Sequence, residues 1–201
     1  MMNYENYISI VLGESGVGKS SFINLITRST NCKTSDRPEI CTKKYNITRT
    51  IYNKSEYYFI DTPGFDDYGY GKAQFLNELK KSITEYPNIR CLIILKNFHD
   101  IRNSQNFLKF LKILMEYFPT KKFWEHVIIV RTHADKESYI FRKEKERTRL
   151  NINFIEDNIK DIINAQEKNE EYYVDCECNF EENEEQLEKI FNRIRMTPPI
   201  N

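Results

Sequence analysis

Glycine and proline are scarce in this chain, six of each among 201 residues. There is no low-complexity tract, no internal repeat and no composition shift marking a linker, so one domain is expected over 1–201. Net charge is also missing: 30 basic residues stand against 30 acidic ones. A balanced chain offers no bulk attraction to nucleic acid or to an anionic membrane, and no nucleic-acid partner is expected. No apolar run approaches the roughly 18 residues that span a bilayer. The first residues, "MMNYENY", are polar and carry no signal-peptide pattern. A cytoplasmic location is expected, with peripheral membrane association only through a tail beyond the final "MTPPIN". Paired cysteines are absent too. The five cysteines (Cys32, Cys41, Cys91, Cys176, Cys178) are odd in number and irregular in spacing, which reads as free thiols in a reducing compartment. Cys176 and Cys178 form a C-x-C without the second pair that a zinc site needs.

Hydrophobic residues make up 40% of the chain and aromatics 13%, enough for a real core at this length. Short apolar, β-branched runs read as buried strands: "YISIVL" (7–12), "YYFID" (57–61), "CLIIL" (91–95) and "HVIIV" (126–130). "YNITRTIY" (45–52) alternates and reads as an edge strand before a turn at Asn53-Lys54. "EYYVDC" (171–176) reads as the last strand. Helical patterns lie between them, over 19–28, 73–85, 104–118, 136–168 and 183–195. The third stops at Pro119. The fourth carries the mixed-sign run "RKEKERTR" (142–149), which reads as a solvated face. Strands alternating with helices predict an α/β fold: a mostly parallel six-stranded sheet with helices on both faces.

The few glycines are not scattered. Gly16 and Gly18 fall within "GESGVGKS" (13–20), directly after the first strand. The stretch fits G-x-x-x-x-G-K-S/T, the phosphate loop. At average residue frequencies the pattern arises by chance in about one chain in a hundred of this size. Its glycines let consecutive N–H groups point at phosphate oxygens, and the following helix adds its positive end. Lys19 reaches the β- and γ-phosphates, and the Ser20 hydroxyl is a ligand for Mg2+. Downstream, "FIDTPGF" (59–65) ends a strand in D-x-x-G. Asp61 is the second candidate for Mg2+, and the Gly64 N–H is a sensor of the γ-phosphate. Between the two motifs, "TSDRPEICTKKY" supplies a switch threonine. Thr42 is the candidate and Thr34 its competitor.

"RTHADK" (131–136) follows the strand "HVIIV" and resembles N/T-K-x-D, with Thr132 first and His133 in the Lys position. Asp135 there accepts hydrogen bonds from guanine N1–H and the 2-amino group. Adenine leaves such a carboxylate unpaired, and sites of this kind discriminate by about 10⁴-fold. His133 lies along the base. The pattern therefore predicts GTP and GDP, with Mg2+, as ligands.

With "GESGVGKSSFIN", "ICTKKY", "FIDTPGFDD" and "KKFWEHVIIVRTHAD" in view, the chain resembles the septin-like, AIG-type (immunity-associated) GTPases. The resemblance runs from about Tyr7 to about Asn192. Plant chloroplast import receptor GTPases are near relatives. The resemblance implies a phosphate-loop G domain, a GTP/GDP switch with slow intrinsic hydrolysis, and dimers or oligomers formed through the nucleotide face with GTP bound. By match, phosphate contacts fall on Gly13, Glu14, Ser15, Gly16, Val17, Gly18, Lys19, Ser20 and Ser21. Mg2+ falls on Ser20, Thr42 and Asp61, and the base on Thr132, His133 and Asp135. Lys19, Thr42 and Gly64 are the candidate catalytic groups. Two features depart from the family. The arginine that some members use across the dimer aligns with Asn97, with Arg102 close by. The last guanine-contacting segment, usually with an Asn, reads "VDCECN", leaving Cys176 or Glu177. Phe65 follows D-x-x-G and cannot orient water, so slow hydrolysis by the monomer is expected, raised by a second chain. The alternative is a GTP-dependent assembly module with negligible hydrolysis.

Overall fold

The computed structural model describes residues 6–32, 46–65, 72–86, 88–99, 105–118, 123–134, 171–176 and 178–200. Its six strands are β1 (Asn6–Leu12), β2 (Asn46–Tyr52), β3 (Ser55–Asp61), β4 (Ile89–Asn97), β5 (Val127–Thr132) and β6 (Glu171–Val174). They form one sheet in the order β2-β3-β1-β4-β5-β6. Only the β2–β3 pair is antiparallel. The described helices are α1 (Lys19–Thr27), α2 (Lys72–Glu85), α3 (Gln105–Tyr117) and α4 (Glu184–Met196). The expected α/β sheet is present. The expected helix over 136–168 lies outside the described residues.

Alternation along the central strands builds two cores. Tyr7 and Val11 of β1, Cys91, Ile93 and Leu95 of β4, and Ile128 and Val130 of β5 face one layer. That layer is α1, through Phe22, Ile23 and Ile26, and α4, through Leu187, Ile190, Phe191 and Ile194. Ile10, Leu12, Leu92, Ile94, Val127 and Ile129 face the other, where Phe75 and Leu79 of α2 meet Phe107, Phe110, Leu111 and Leu114 of α3. The spacings 107/110/111/114 and 187/190/191/194 are each one stripe of a helix.

The expected turn at Asn53-Lys54 is present, and three strand boundaries depart from the sequence expectation. β3 begins at Ser55 because Asn53 (φ 47°) and Lys54 (φ 62°) both adopt left-handed backbone, closing a two-residue hairpin that pairs Tyr52 with Ser55. Such a turn matches the twist of the flanking strands. Residues Phe123–His126 form a 3-10 turn, so β5 starts at Val127. At their far ends β4 and β5 run on through polar residues, pairing Lys96 with Arg131 and Asn97 with Thr132. Arg131 sustains this extension with two 3.0 Å hydrogen bonds to the Glu171 carboxylate of the neighbouring strand.

The chain end ties the two layers together. Arg90 donates to the Thr197 carbonyl at 3.0 Å. The Ile200 N–H donates to the Ile89 carbonyl at 2.7 Å, and Ile200 packs on the α2/α3 core. Above it, Phe191 of α4 stacks on Tyr52 (4.2 Å between centroids, 8° between planes) and meets Tyr57 edge-on at 4.7 Å. One ring thus seats the last helix on the β2–β3 hairpin. Phe191→Ala is expected to lower the unfolding free energy by about 3–5 kcal/mol, measured by urea denaturation. A loss below about 1 kcal/mol would mean that the hairpin and α4 are not coupled through this ring.

Candidate functional site

All five mutually parallel strands end on one side of the sheet, where ligands of such folds gather. The loop after β1 is shaped by two glycines. A Cβ on Gly13 would lie 2.8 Å from Val17 Cγ1 and 2.9 Å from the Leu95 carbonyl oxygen, closer than a side chain tolerates. Gly18 caps α1 with φ 91°, a left-handed angle that costs glycine nothing. Its carbonyl accepts the Phe22 N–H at 2.8 Å, so the helix starts as the loop ends. The Lys19 ammonium folds back over the loop and donates to the carbonyls of Glu14 (2.7 Å) and Gly13 (3.1 Å). Its side chain is therefore held at the loop mouth, ready to exchange carbonyl partners for phosphate oxygens.

Ser20 and Asp61, from motifs 41 residues apart, meet directly: Ser20 Oγ donates to Asp61 Oδ2 at 2.8 Å. Asp61 is buried, 2% exposed. A hydroxyl and a buried carboxylate in contact, at the mouth of a phosphate loop, form a hard-oxygen set that fits Mg2+. Thr62 fixes the strand end by donating to the Val11 carbonyl at 2.7 Å. Gly64 is buried. Phe65, next in line, donates its N–H to the Gly13 carbonyl at 3.4 Å and stacks its ring on Phe110 of α3 (3.9 Å, 9°).

Thr132 is fully buried and bridges three segments. Its Oγ1 donates to the Val17 carbonyl at 2.7 Å and lies 3.2 Å from the Lys96 carbonyl. His133 follows in left-handed backbone, φ 57°. Its Nε2 would be 3.6 Å from a Cβ on Gly18, so the turn after β5 lies against the start of α1. Ser15 and Gly16 are exposed at the loop's outer turn. Ser21 and Cys176 line one cavity of about 760 Å³, beside α1. Asn97 turns its Oδ1 to the His99 N–H at 2.9 Å. Thr34, Thr42, Arg102, Asp135 and Glu177 lie outside the described residues.

Sequence reasoning passed over several of these groups. Lys96 is buried at the end of β4 with its ammonium 4.3 Å from the Phe107 ring centre. Asn24, polar in a helix interior where Asn is disfavoured, accepts the Cys32 N–H and donates to the Cys32 carbonyl, both at 2.9 Å. That misplaced amide was the available signal. Burial pushes the Cys32 thiol up. A hydrogen bond to the Asp175 carboxylate pushes Cys178 up to about 11, so it stays protonated at neutral pH. Among the described residues no helix is long and apolar enough to cross a membrane.

Ser20→Ala removes one member of the hydroxyl–carboxylate pair. Bonds of this charged kind contribute about 1.5–3 kcal/mol, so GDP affinity in Mg2+ is expected to fall by about tenfold or more. Affinity in EDTA should barely change. Calorimetric titration with and without Mg2+ reads both. Equal losses under the two conditions would remove Ser20 from the metal set.

Residues 9–132 match the family of 50S ribosome-binding GTPases. Over 165 residues the chain is 32% identical to the probable GTP-binding protein EngB of Ehrlichia chaffeensis, covering 76% of this chain and 70% of that one. Among solved structures, a dimerization-deficient mutant of Toc33 from Arabidopsis thaliana is similar with a TM-score of 0.71 at 20% identity, covering 100% of this chain and 88% of that one. Era in complex with MgGDPNP and 16S ribosomal RNA nucleotides is similar at a TM-score of 0.62 and 14% identity, covering 98% of this chain and 58% of that one. The glycine-shaped loop, the Ser20–Asp61 contact and the Thr132 bridge are thus parts of a GTP-hydrolysing enzyme, and the chain belongs to the 50S ribosome-binding GTPase family.

Proposed function

We propose that this GTPase is a slow GTP/GDP switch whose hydrolysis rises when two copies meet through their nucleotide faces, in the manner of the septin-like, AIG-type GTPases. In this reading Lys19 and the Gly64 N–H contact the γ-phosphate, and Ser20, Asp61 and Thr42 hold Mg2+. Bound there, Mg2+ would supply charge neutralisation on the β- and γ-phosphates. The loop N–H groups of Gly13 to Ser21 and the end of α1 bind and orient the phosphates. Thr132, His133 and Asp135 take the guanine, with Cys176 or Glu177 on its far side.

Phe65 carries the proposal. In GTPases that hydrolyse through a glutamine, a side chain near this point orients the attacking water. Here the residue after Gly64 is a phenyl ring stacked on α3 at 3.9 Å, so it donates nothing to a water. A chain that can neutralise charge but lacks a water-orienting side chain at this position is expected to turn over slowly by itself. The likeness to Toc33, a protein with a dimerization-deficient mutant, supports a copy of the chain as the missing contributor. In this chain Asn97 stands at the aligned arginine position, with Arg102 nearby. Era is known in complex with ribosomal RNA. The 30:30 charge balance of this chain supplies no comparable bulk attraction, and RNA is not part of this reading.

The test is turnover per chain across protein concentration, with particle mass read in the same samples. The expected result is a low constant rate when dilute, rising together with a GTP-dependent doubling of mass. ATP should neither bind nor change the mass. Doubling of mass with no turnover at any concentration would favour the assembly module. Fast turnover by the dilute monomer would overturn the proposal.

A further inference from the structure

β2 ends the sheet on one side, and its inner part, Ile47-Thr48-Arg49-Thr50-Ile51, reads the same in both directions. The hairpin fixes which of its backbone groups face outward. Tyr52 and Ser55 flank the two-residue turn and form its hydrogen-bonded pair. Bonded and non-bonded pairs alternate from there, so Thr50 exchanges bonds with Tyr57, and Thr48 with Phe59. The N–H and C=O groups of Ile47, Arg49 and Ile51 therefore point away from β3. Among the described residues no backbone group receives them.

The side chains of the same three residues share one face of the strand. Ile47 is 39% exposed and Ile51 57%, two of the three large hydrophobic residues left exposed among the described residues. Ile47 also rims a groove of about 260 Å³ with Ile8, Tyr58, Ile60 and Tyr86. Arg49 stands between the two isoleucines and donates to the Glu56 carboxylate of β3 at 2.6 Å, so its charge is answered within its own chain. Edge strands are ordinarily blunted by lysine, proline, a bulge or short length. β2 runs for seven residues with no lysine or proline, and its register with β3 is unbroken.

We propose that β2 pairs antiparallel with β2 of a second copy of this chain, about a two-fold axis at Arg49, joining two sheets into one. The palindrome then sets like against like at each position: Ile47 against the partner's Ile51, Thr48 against the partner's Thr50, and Arg49 against the partner's Arg49. The outward-facing residues fall in the hydrogen-bonded pairs, where each exchanges both of its backbone bonds. Isoleucine on isoleucine covers the exposed face, and the contact is isologous and closes on itself. Like charges directly opposite are normally unfavourable, but each Arg49 brings its own Glu56 carboxylate. A second copy is the fitting partner because the palindrome gives it, and no arbitrary strand, a match along the whole edge. This edge is the side of the sheet, whereas the nucleotide groups gather at the ends of the parallel strands. The contact is therefore separate from the nucleotide-face contact proposed above, does not rest on that reading, and needs no GTP.

The experiment is sedimentation equilibrium in GDP and Mg2+, where the nucleotide-face dimer is not expected, with Tm recorded for each protein. Four proteins are compared: unaltered, Ile47→Glu, Ile51→Lys, and the double variant carrying both changes. The unaltered protein is expected to dimerise reversibly. Each single variant sets a charge against a partner isoleucine at two symmetric places, and should raise the dimer dissociation constant by about tenfold. Tm of the dilute protein should hold, because both side chains are exposed. The double variant sets opposite charges against each other at both places and should recover most of the dimer, an outcome specific to antiparallel pairing about Arg49. The proposal is overturned by an unaltered protein that stays monomeric in GDP, by single variants that dimerise as well as the unaltered chain, or by a double variant no better than the singles. A dimer that forms only with a non-hydrolysable GTP analogue would belong to the nucleotide face and would equally overturn it.

Discussion

The Thr132 hydroxyl is the bond on which the site's geometry rests. It is fully buried, donates to the Val17 carbonyl at 2.7 Å and lies 3.2 Å from the Lys96 carbonyl. The phosphate loop is exposed at its outer turn, at Ser15 and Gly16. By gripping Val17 across 115 positions of sequence, Thr132 makes the loop's conformation a property of the β4 and β5 ends. Those ends are themselves polar extensions kept in register by the Arg131–Glu171 pair. One side chain thus joins the end of β5 to the phosphate loop and to the end of β4. Leaving the Val17 carbonyl unsatisfied in the interior would cost about 1–3 kcal/mol, and the cost would fall on the loop mouth.

The opposite side of the loop is built on the same logic with different chemistry. Thr62 ties the end of β3 to Val11 of β1, which brings Asp61 onto Ser20. Shortly after, the chain leaves the polar site and commits to the α2/α3 core through Phe65 on Phe110. Gly64 lies at the hinge between these two environments. Phe65, next to Gly64, carries that stack, so the position of Gly64 is tied to α3. The coupling element is a ring contact, so it is short-ranged and resists small displacements.

Much of this was legible in the sequence because the motifs are local. "GESGVGKS" and "FIDTPGF" each specify a strand end and a loop, and the strand patterns set them on one side of a parallel sheet. The meeting of Ser20 with Asp61 followed from that. What was not legible depended on long-range partners. The polar tails Lys96-Asn97 and Arg131-Thr132 look like loop and become strand only because Glu171 and a neighbouring ladder receive them. Thr132 reads as a motif letter, and its bridge to Val17 has no sequence signal. Arg28 reads as a surface charge after a helix. Its left-handed backbone and its seat on Phe180 depend on a segment about 150 residues downstream, which no local pattern announces.

These observations bear on how a chain with so complete a phosphate cradle would be controlled. Lys19, at present hydrogen-bonded to loop carbonyls, and the Ser20–Asp61 pair are preorganised for charge, and preorganised charge stabilises both the bound nucleotide and the transition state. Neutralising charge is one requirement of phosphoryl transfer, and orienting the attacking water is another. Acceleration requires a group engaged only as the bond breaks, and at the position after Gly64 the chain has spent its residue on packing. The same ring that secures the hinge therefore leaves this position unable to orient water. On the proposed reading, slow turnover follows from this packing, and control of the cycle passes to whatever supplies the missing group.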